Sequence, residues 1–158
     1  MRVLQDLEPK LVTRLLHHIF DLKVGSTSIL SENLRKDEVI TSPISTTVMV
    51  TDTHYLVLLL GETKKEKKLI KDLEETLEDL SITPSEFERR KRLMISGLIS
   101  STENIFATND RIIDNITDYG KPYYNELELV KKLTMEDANY VVNNIDLSNK
   151  LIYIIEPK

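Results

Sequence analysis

The hydrophobic period changes near residue 39, and that change constrains the fold more than any other feature of the chain. Ile44, Thr46, Val48 and Val50 alternate with Ser45, Thr47 and Met49; after Thr51-Asp52-Thr53 comes His54-Tyr55-Leu56-Val57-Leu58-Leu59-Leu60. Period-two alternation, a short polar break and a second β-prone run predict two strands joined as a β-hairpin. The second run is apolar at nearly every position. A strand of that kind is expected to be covered on both faces or to sit centrally, so it calls for partners beyond this one hairpin.

Helical spacing dominates on either side. Leu11, Val12, Leu15, Leu16 and Ile19 predict a helix over about residues 9–22 with one apolar stripe, and Gly25 reads as its C-terminal stop. Ser28 can cap a short second helix ending near Lys36. Beyond Glu62 a helix starting at about Thr63 carries the seam Leu69, Ile70, Leu73, Leu77 and Leu80. Thr83-Pro84-Ser85-Glu86 has the form of a capping box with proline at the first helical position, opening a long helix through about Ile99. Further helices are expected over Glu103 to Asp118, Tyr124 to Lys132 and Thr134 to Asn143, with a break at Tyr119-Gly120-Lys121-Pro122. Leu151-Ile152-Tyr153-Ile154-Ile155 reads as a closing strand. The layout is α+β: an antiparallel sheet with helices packed on one face. Residues 1–158 are read as one domain, or part of one, whose further strands lie upstream of Met1.

Composition narrows the function classes. A net charge of −5 argues against a dedicated nucleic-acid binder, which needs a basic face to neutralise phosphates. The absence of cysteine excludes disulfides and thiolate metal sites and fits a reducing compartment. The apolar run from Tyr55 to Leu60 is far short of the ~20 residues that span a bilayer, and Glu8, Lys10 and Arg14 interrupt any signal-like N-terminal core. These readings predict a soluble, cytoplasmic protein without a membrane partner.

Several segments, taken in order, carry a resemblance. They are Gly25-Ser26-Thr27-Ser28-Ile29-Leu30-Ser31-Glu32-Asn33-Leu34-Arg35, Phe87-Glu88-Arg89-Arg90-Lys91-Arg92, Ser101-Thr102-Glu103-Asn104, Leu133-Thr134-Met135-Glu136-Asp137 and Ile154-Ile155-Glu156-Pro157. From about Leu11 to Pro157 the chain resembles the insulinase/pitrilysin group of zinc peptidases, which includes the mitochondrial processing peptidase, over the later part of the second, non-catalytic half. The resemblance implies part of a half-domain from a pair of α+β halves that clamp around a peptide chamber. The N-terminal half would carry zinc, and this half would lend substrate contacts and closure. Expected partners are therefore an N-terminal half of the same protein or a homologous subunit, a peptide substrate, and in the isolated piece a second copy. The parent would be a zinc metallopeptidase or its inactive homologue.

The chemistry of that family is missing from this chain. Its H-x-x-E-H motif sets two imidazoles and a general-base carboxylate on one helix face. Here His18 is followed by Ile19-Phe20-Asp21-Leu22, and a His17/Asp21 pair alone does not make a metal site. In several members the second strand of the hairpin region supplies an arginine and, shortly after it, a tyrosine; neither has a counterpart between about Leu56 and Lys65. Neither a G-x-S-x-G elbow nor a phosphate-binding glycine loop occurs. Glu74, Glu75, Glu78 and Asp79 read as a solvated helix face, and Arg89-Arg90-Lys91-Arg92 points around most of a helix circumference beside Glu86 and Glu88. Lys64, Lys65, Lys67, Lys68 and Lys71 precede the acids of their helix, against the macrodipole, which is read either as tolerance or as a positive end for an acidic partner. No catalytic, cofactor-binding or metal-ligating residue is nominated. The alternative to the peptidase reading is a freestanding α+β interaction domain.

Overall fold

The computed structural model of the chain describes residues 7–51 and 53–156. Helix α1 (Pro9–Val24) forms the axis of the fold. Pro9, with its fixed φ, opens it, and Leu11, Val12, Leu15, Leu16, Ile19, Phe20 and Val24 are buried along one stripe. Each of these side chains contributes about 1.5–3 kcal/mol of burial energy. Gly25 ends the helix as expected, but not by the left-handed turn usual for a stop glycine. Its backbone is extended at φ −65°, and a Cβ there would collide with the carbonyl and carboxylate of Asp21. Close approach, not conformational freedom, requires glycine here.

Helix α2 (Ile29–Lys36) follows at once. Ser28 caps it by accepting from the Ser31 amide at 3.0 Å. The Ser31 hydroxyl donates back to the Val24 carbonyl at 2.9 Å, and the Arg35 guanidinium donates to the carbonyls of Ser26 and Ser31. The small-residue segment Gly25–Arg35 is thus a corner that satisfies its own polar groups.

Strands β1 (Ser45–Val50) and β2 (Tyr55–Leu60) pair antiparallel, from Ser45 opposite Leu60 to Val50 opposite Tyr55. Thr51 and His54 close the turn by backbone and hydroxyl hydrogen bonds; Asp52 of the expected turn lies outside the described residues. Val48, Tyr55, Val57 and Leu59 face inward onto the core that α1 anchors. The remaining elements are α3 (Glu66–Leu77), α4 (Pro84–Thr102), α5 (Ile105–Tyr119), α6 (Glu126–Lys132) and α7 (Met135–Asn143). The Thr83/Glu86 capping box is present, with the Thr83 amide donating to Glu86 at 2.8 Å. Thr134 and Asp137 form a second box. Asn104 caps α5, and Gly120 ends it in the left-handed region at φ 70°.

The architecture is α+β, with helices on one face of an antiparallel sheet. Two expectations need correction. Leu151–Ile155 joins no ladder, so the described sheet has two strands, not three. Those residues have strand propensity, yet a strand exists only where its amides and carbonyls meet an edge. The second correction concerns β2, which among the described residues is covered on one face alone. Leu56 and Leu60 are 52% and 58% exposed on the other, beside Met49. Boundaries also shift: α3 begins at Glu66 and stops at Leu77, while Leu80 is still buried in the turn that follows. The strands expected before Met1, and Pro157 of the terminal motif, lie outside the described residues.

Candidate functional site

The histidines are dispersed in role. His17 is exposed and His18 is half-buried, its ring 5.7 Å from that of His17. Burial, helped by the charges of His17, Arg90 and Arg14, lowers the His18 pKa to about 4. Asp21, the potential partner of His17, instead accepts from Arg90 Nη1 at 2.5 Å. His54 Nδ1 is 2.7 Å from the Thr53 hydroxyl at the hairpin turn. Among the described residues no group of three His, Asp or Glu side chains could hold a metal ion. The donor set of α1 therefore does not fit zinc: one imidazole has its Nδ1 buried and unpartnered, and the carboxylate is committed to an arginine.

The basic run is divided by the fold. Arg89 and Arg92 are exposed, whereas Arg90 reaches Asp21 on α1 and Lys91 Nζ donates to the Leu133 carbonyl at 2.7 Å. With Phe87 buried in the core, Phe87-x-x-x-Lys91 joins α4 to its neighbours. It is a packing motif, not an anion patch. The acids in and just after α3 are engaged separately: Glu74 meets Lys150, Glu75 lies 3.5 Å from Lys71, and hydrogen bonds from the Ser81 side chain and amide lower the pKa of Asp79. Lysines at the start of α3 are partly taken up locally, Lys68 by Asp72 and Asp37 and Lys65 by the Asp37 carbonyl. Lys64 and Lys67 are exposed.

One polar centre is not legible in the sequence. Arg14 of α1 meets Glu126 of α6 at 2.5 Å, across 112 residues of chain. Glu126 is 2% exposed and its second oxygen has no partner; Asn115 of α5 is fully buried with both amide atoms unpartnered. Nearby, the Tyr119 hydroxyl donates to Thr13, and Lys10 lies 5.2 Å from the Tyr119 ring centre. Burial lowers the Lys10 pKa. Glu8 accepts from Lys121 and Tyr123, and those hydrogen bonds lower its pKa. These contacts tie α1 to α5 and α6, and the only sequence sign of them is an arginine set beside an apolar stripe.

What remains as a candidate site is a surface. Met49, Leu56 and Leu60 form an uncovered apolar face on the hairpin, and Leu151–Ile155 adds a second exposed apolar segment.

No protein-family model and no curated protein matches the chain. Solved structures do. An M16-like peptidase from Alicyclobacillus acidocaldarius superposes with a TM-score of 0.71 at 15% identity, over 83% of this chain and 32% of that one. A protease from Helicobacter pylori gives 0.62 at 19% identity, over 84% of this chain and 34% of that one. The periplasmic protease PqqL from Escherichia coli gives 0.60 at 18% identity, over 84% of this chain and 16% of that one. The chain spans about a third or less of each. Its fold is that of one part of these longer protease chains, the first of them an M16-like peptidase.

Proposed function

We propose that this chain is the non-catalytic portion of an insulinase-type peptidase assembly, and that it helps to enclose a peptide without cleaving it. The observation that carries the reading is the uncovered hairpin face of Met49, Leu56 and Leu60, on a fold that matches only a third of its structural neighbours' length. A strand as apolar as Tyr55–Leu60 is stable in water when a second surface covers it, so the chain is suited to packing against a complementary half or a homologous subunit. Zinc chemistry would belong to an H-x-x-E-H helix on that partner. This chain would supply the wall and contacts to the peptide backbone.

The test starts from the genomic DNA upstream of the Met1 codon. An open frame, or a neighbouring gene, encoding H-x-x-E-H on a helix is expected. That product, purified and mixed with this chain, should hydrolyse a quenched fluorogenic peptide that neither cleaves well alone. Full activity of the upstream product without this chain would refute the reading, as would the absence of any such frame together with failure to bind peptide. In that event the freestanding interaction domain takes its place.

A further inference from the structure

Among the described residues an apolar, strand-prone segment joins no sheet, and the outer edge of β2 has no partner. That segment, Leu151–Ile155, is five consecutive apolar residues in neither helix nor ladder. Its exposure alternates as a strand's does: Leu151, Tyr153 and Ile155 are 91%, 82% and 82% exposed, while Ile152 and Ile154 are about half covered. On the other side, β2 has one neighbour, β1, among the described residues. Alternate amides and carbonyls of Tyr55–Leu60 therefore point outward, a template for another extended segment.

We infer that Leu151–Ile155 of one copy adds antiparallel to the outer edge of β2 in a second copy, and reciprocally, to give a two-fold dimer. The inference rests on the proposed role of the hairpin in assembly and adds a second copy at the backbone edge of β2, leaving the Met49, Leu56 and Leu60 face to the H-x-x-E-H partner.

Length and charge select this occupant. The tail's five residues match the six of β2. Lys150 precedes the tail and Glu156 follows it, while Glu62 stands just beyond the C-terminal end of β2. Antiparallel addition brings the Lys150 ammonium to the Glu62 carboxylate and sends Glu156 to the His54 end. Parallel addition would set Glu156 against Glu62, a like-charge contact that opposes pairing. In the single chain Lys150 instead pairs with Glu74, about 12 Å along α3 from its start at Glu66. Among the described residues the tail forms no ladder with its own hairpin. That ion pair is exposed on both sides, so exchanging Glu74 for Glu62 costs little. Exchange between two identical chains makes the contact isologous, and it closes at two copies.

The full chain is examined by light scattering over a range of concentrations, with Tyr153→Pro as the comparison. Dimerisation is expected for the parent chain. Tyr153→Pro removes a ladder amide from an exposed tail, leaves the helices intact by circular dichroism, and should weaken association about tenfold or more. In a mixture of isotope-labelled and unlabelled chains, filtered NOEs should connect Tyr153 of one chain to the leucine methyls of β2 in the other. Lys150→Glu should weaken the dimer, and adding Glu62→Lys should restore it. A monomer at every concentration overturns the inference. So does a dimer indifferent to Tyr153→Pro, or one without cross-chain NOEs. A strictly monomeric chain that still restores hydrolysis to the H-x-x-E-H half would sink this dimer alone and leave the proposed function standing.

Discussion

Replacing Arg14 by methionine should destabilise the fold far more than replacing Arg14 and Glu126 together. The Arg14 and Glu126 side chains are 23% and 3% exposed, and their atoms approach to 2.5 Å. Glu126 Oε2 already lacks a partner, so Arg14→Met would leave an anion buried with neither oxygen held by a charged donor. Breaking one side of such a pair costs about 3–5 kcal/mol. In a chain of 158 residues that lowers Tm by roughly 10 °C, at about 2–4 °C per kcal/mol. The double variant Arg14→Met/Glu126→Leu removes the stranded charge and fills the space, so it should return to within about 1 kcal/mol of the parent chain. Urea unfolding followed by circular dichroism supplies the numbers, given coincident slopes for the three proteins. A single variant costing less than about 1 kcal/mol would show the pair to be solvated and surface-like. A double variant no better than the single would show that Arg14 acts through packing of its stem instead.

His18 titrates with a folded pKa of about 4 against the ordinary 6.5, so the unfolded chain binds its proton first and stability falls as pH drops through that window. Between pH 7 and pH 5 the loss should be about 2 kcal/mol, and His18→Leu should flatten that segment of the stability curve; an unchanged slope refutes the burial of the ring. Gly25→Ala and Gly97→Ala should move stability in opposite directions. A Cβ at Gly25 collides with Asp21 and should cost about 1–3 kcal/mol, whereas Gly97 lies inside α4 with nothing within 4 Å and should gain about 0.5–1 kcal/mol, both read as shifts in urea midpoint. Thr83→Ala removes the α4 cap and should cost about 1 kcal/mol, with Thr83→Asp recovering most of it.

How much of this was legible follows from the range of the interactions. The helices were legible because their signals are local: the Leu11–Ile19 stripe, the Thr83–Glu86 box and the Gly120 stop each lie within one or two turns. Gly25 was placed correctly for a different reason from the one expected, since a collision with Asp21 cannot be read from spacing. The Leu151–Ile155 strand failed because its residues describe a preference, and the ladder that would satisfy it belongs to no described residue. The two-sided cover expected for β2 failed likewise, since the hydrophobic run records the need for cover, not its presence. Arg14, Glu126 and Asn115 were invisible. A buried ion pair between residues 112 apart has no periodicity, and nothing in the run Glu126-Leu127-Glu128-Leu129 marks which glutamate turns inward.

The corner at Gly25–Arg35 has a consequence for how the chain reaches its fold. Its hydrogen bonds, from Ser31 to Val24 and to Ser28 and from Arg35 to Ser26, all close within a dozen residues. Short loops close in tens to hundreds of nanoseconds, so α1 and α2 can set their mutual angle while the rest of the chain is still a coil. The Arg14–Glu126 contact must wait for α6 and for the closure of a 112-residue loop. A nucleus forms at one end of α1 and a latch at its flank. Damage to the corner therefore slows the search, and damage to the latch shortens the life of the finished molecule.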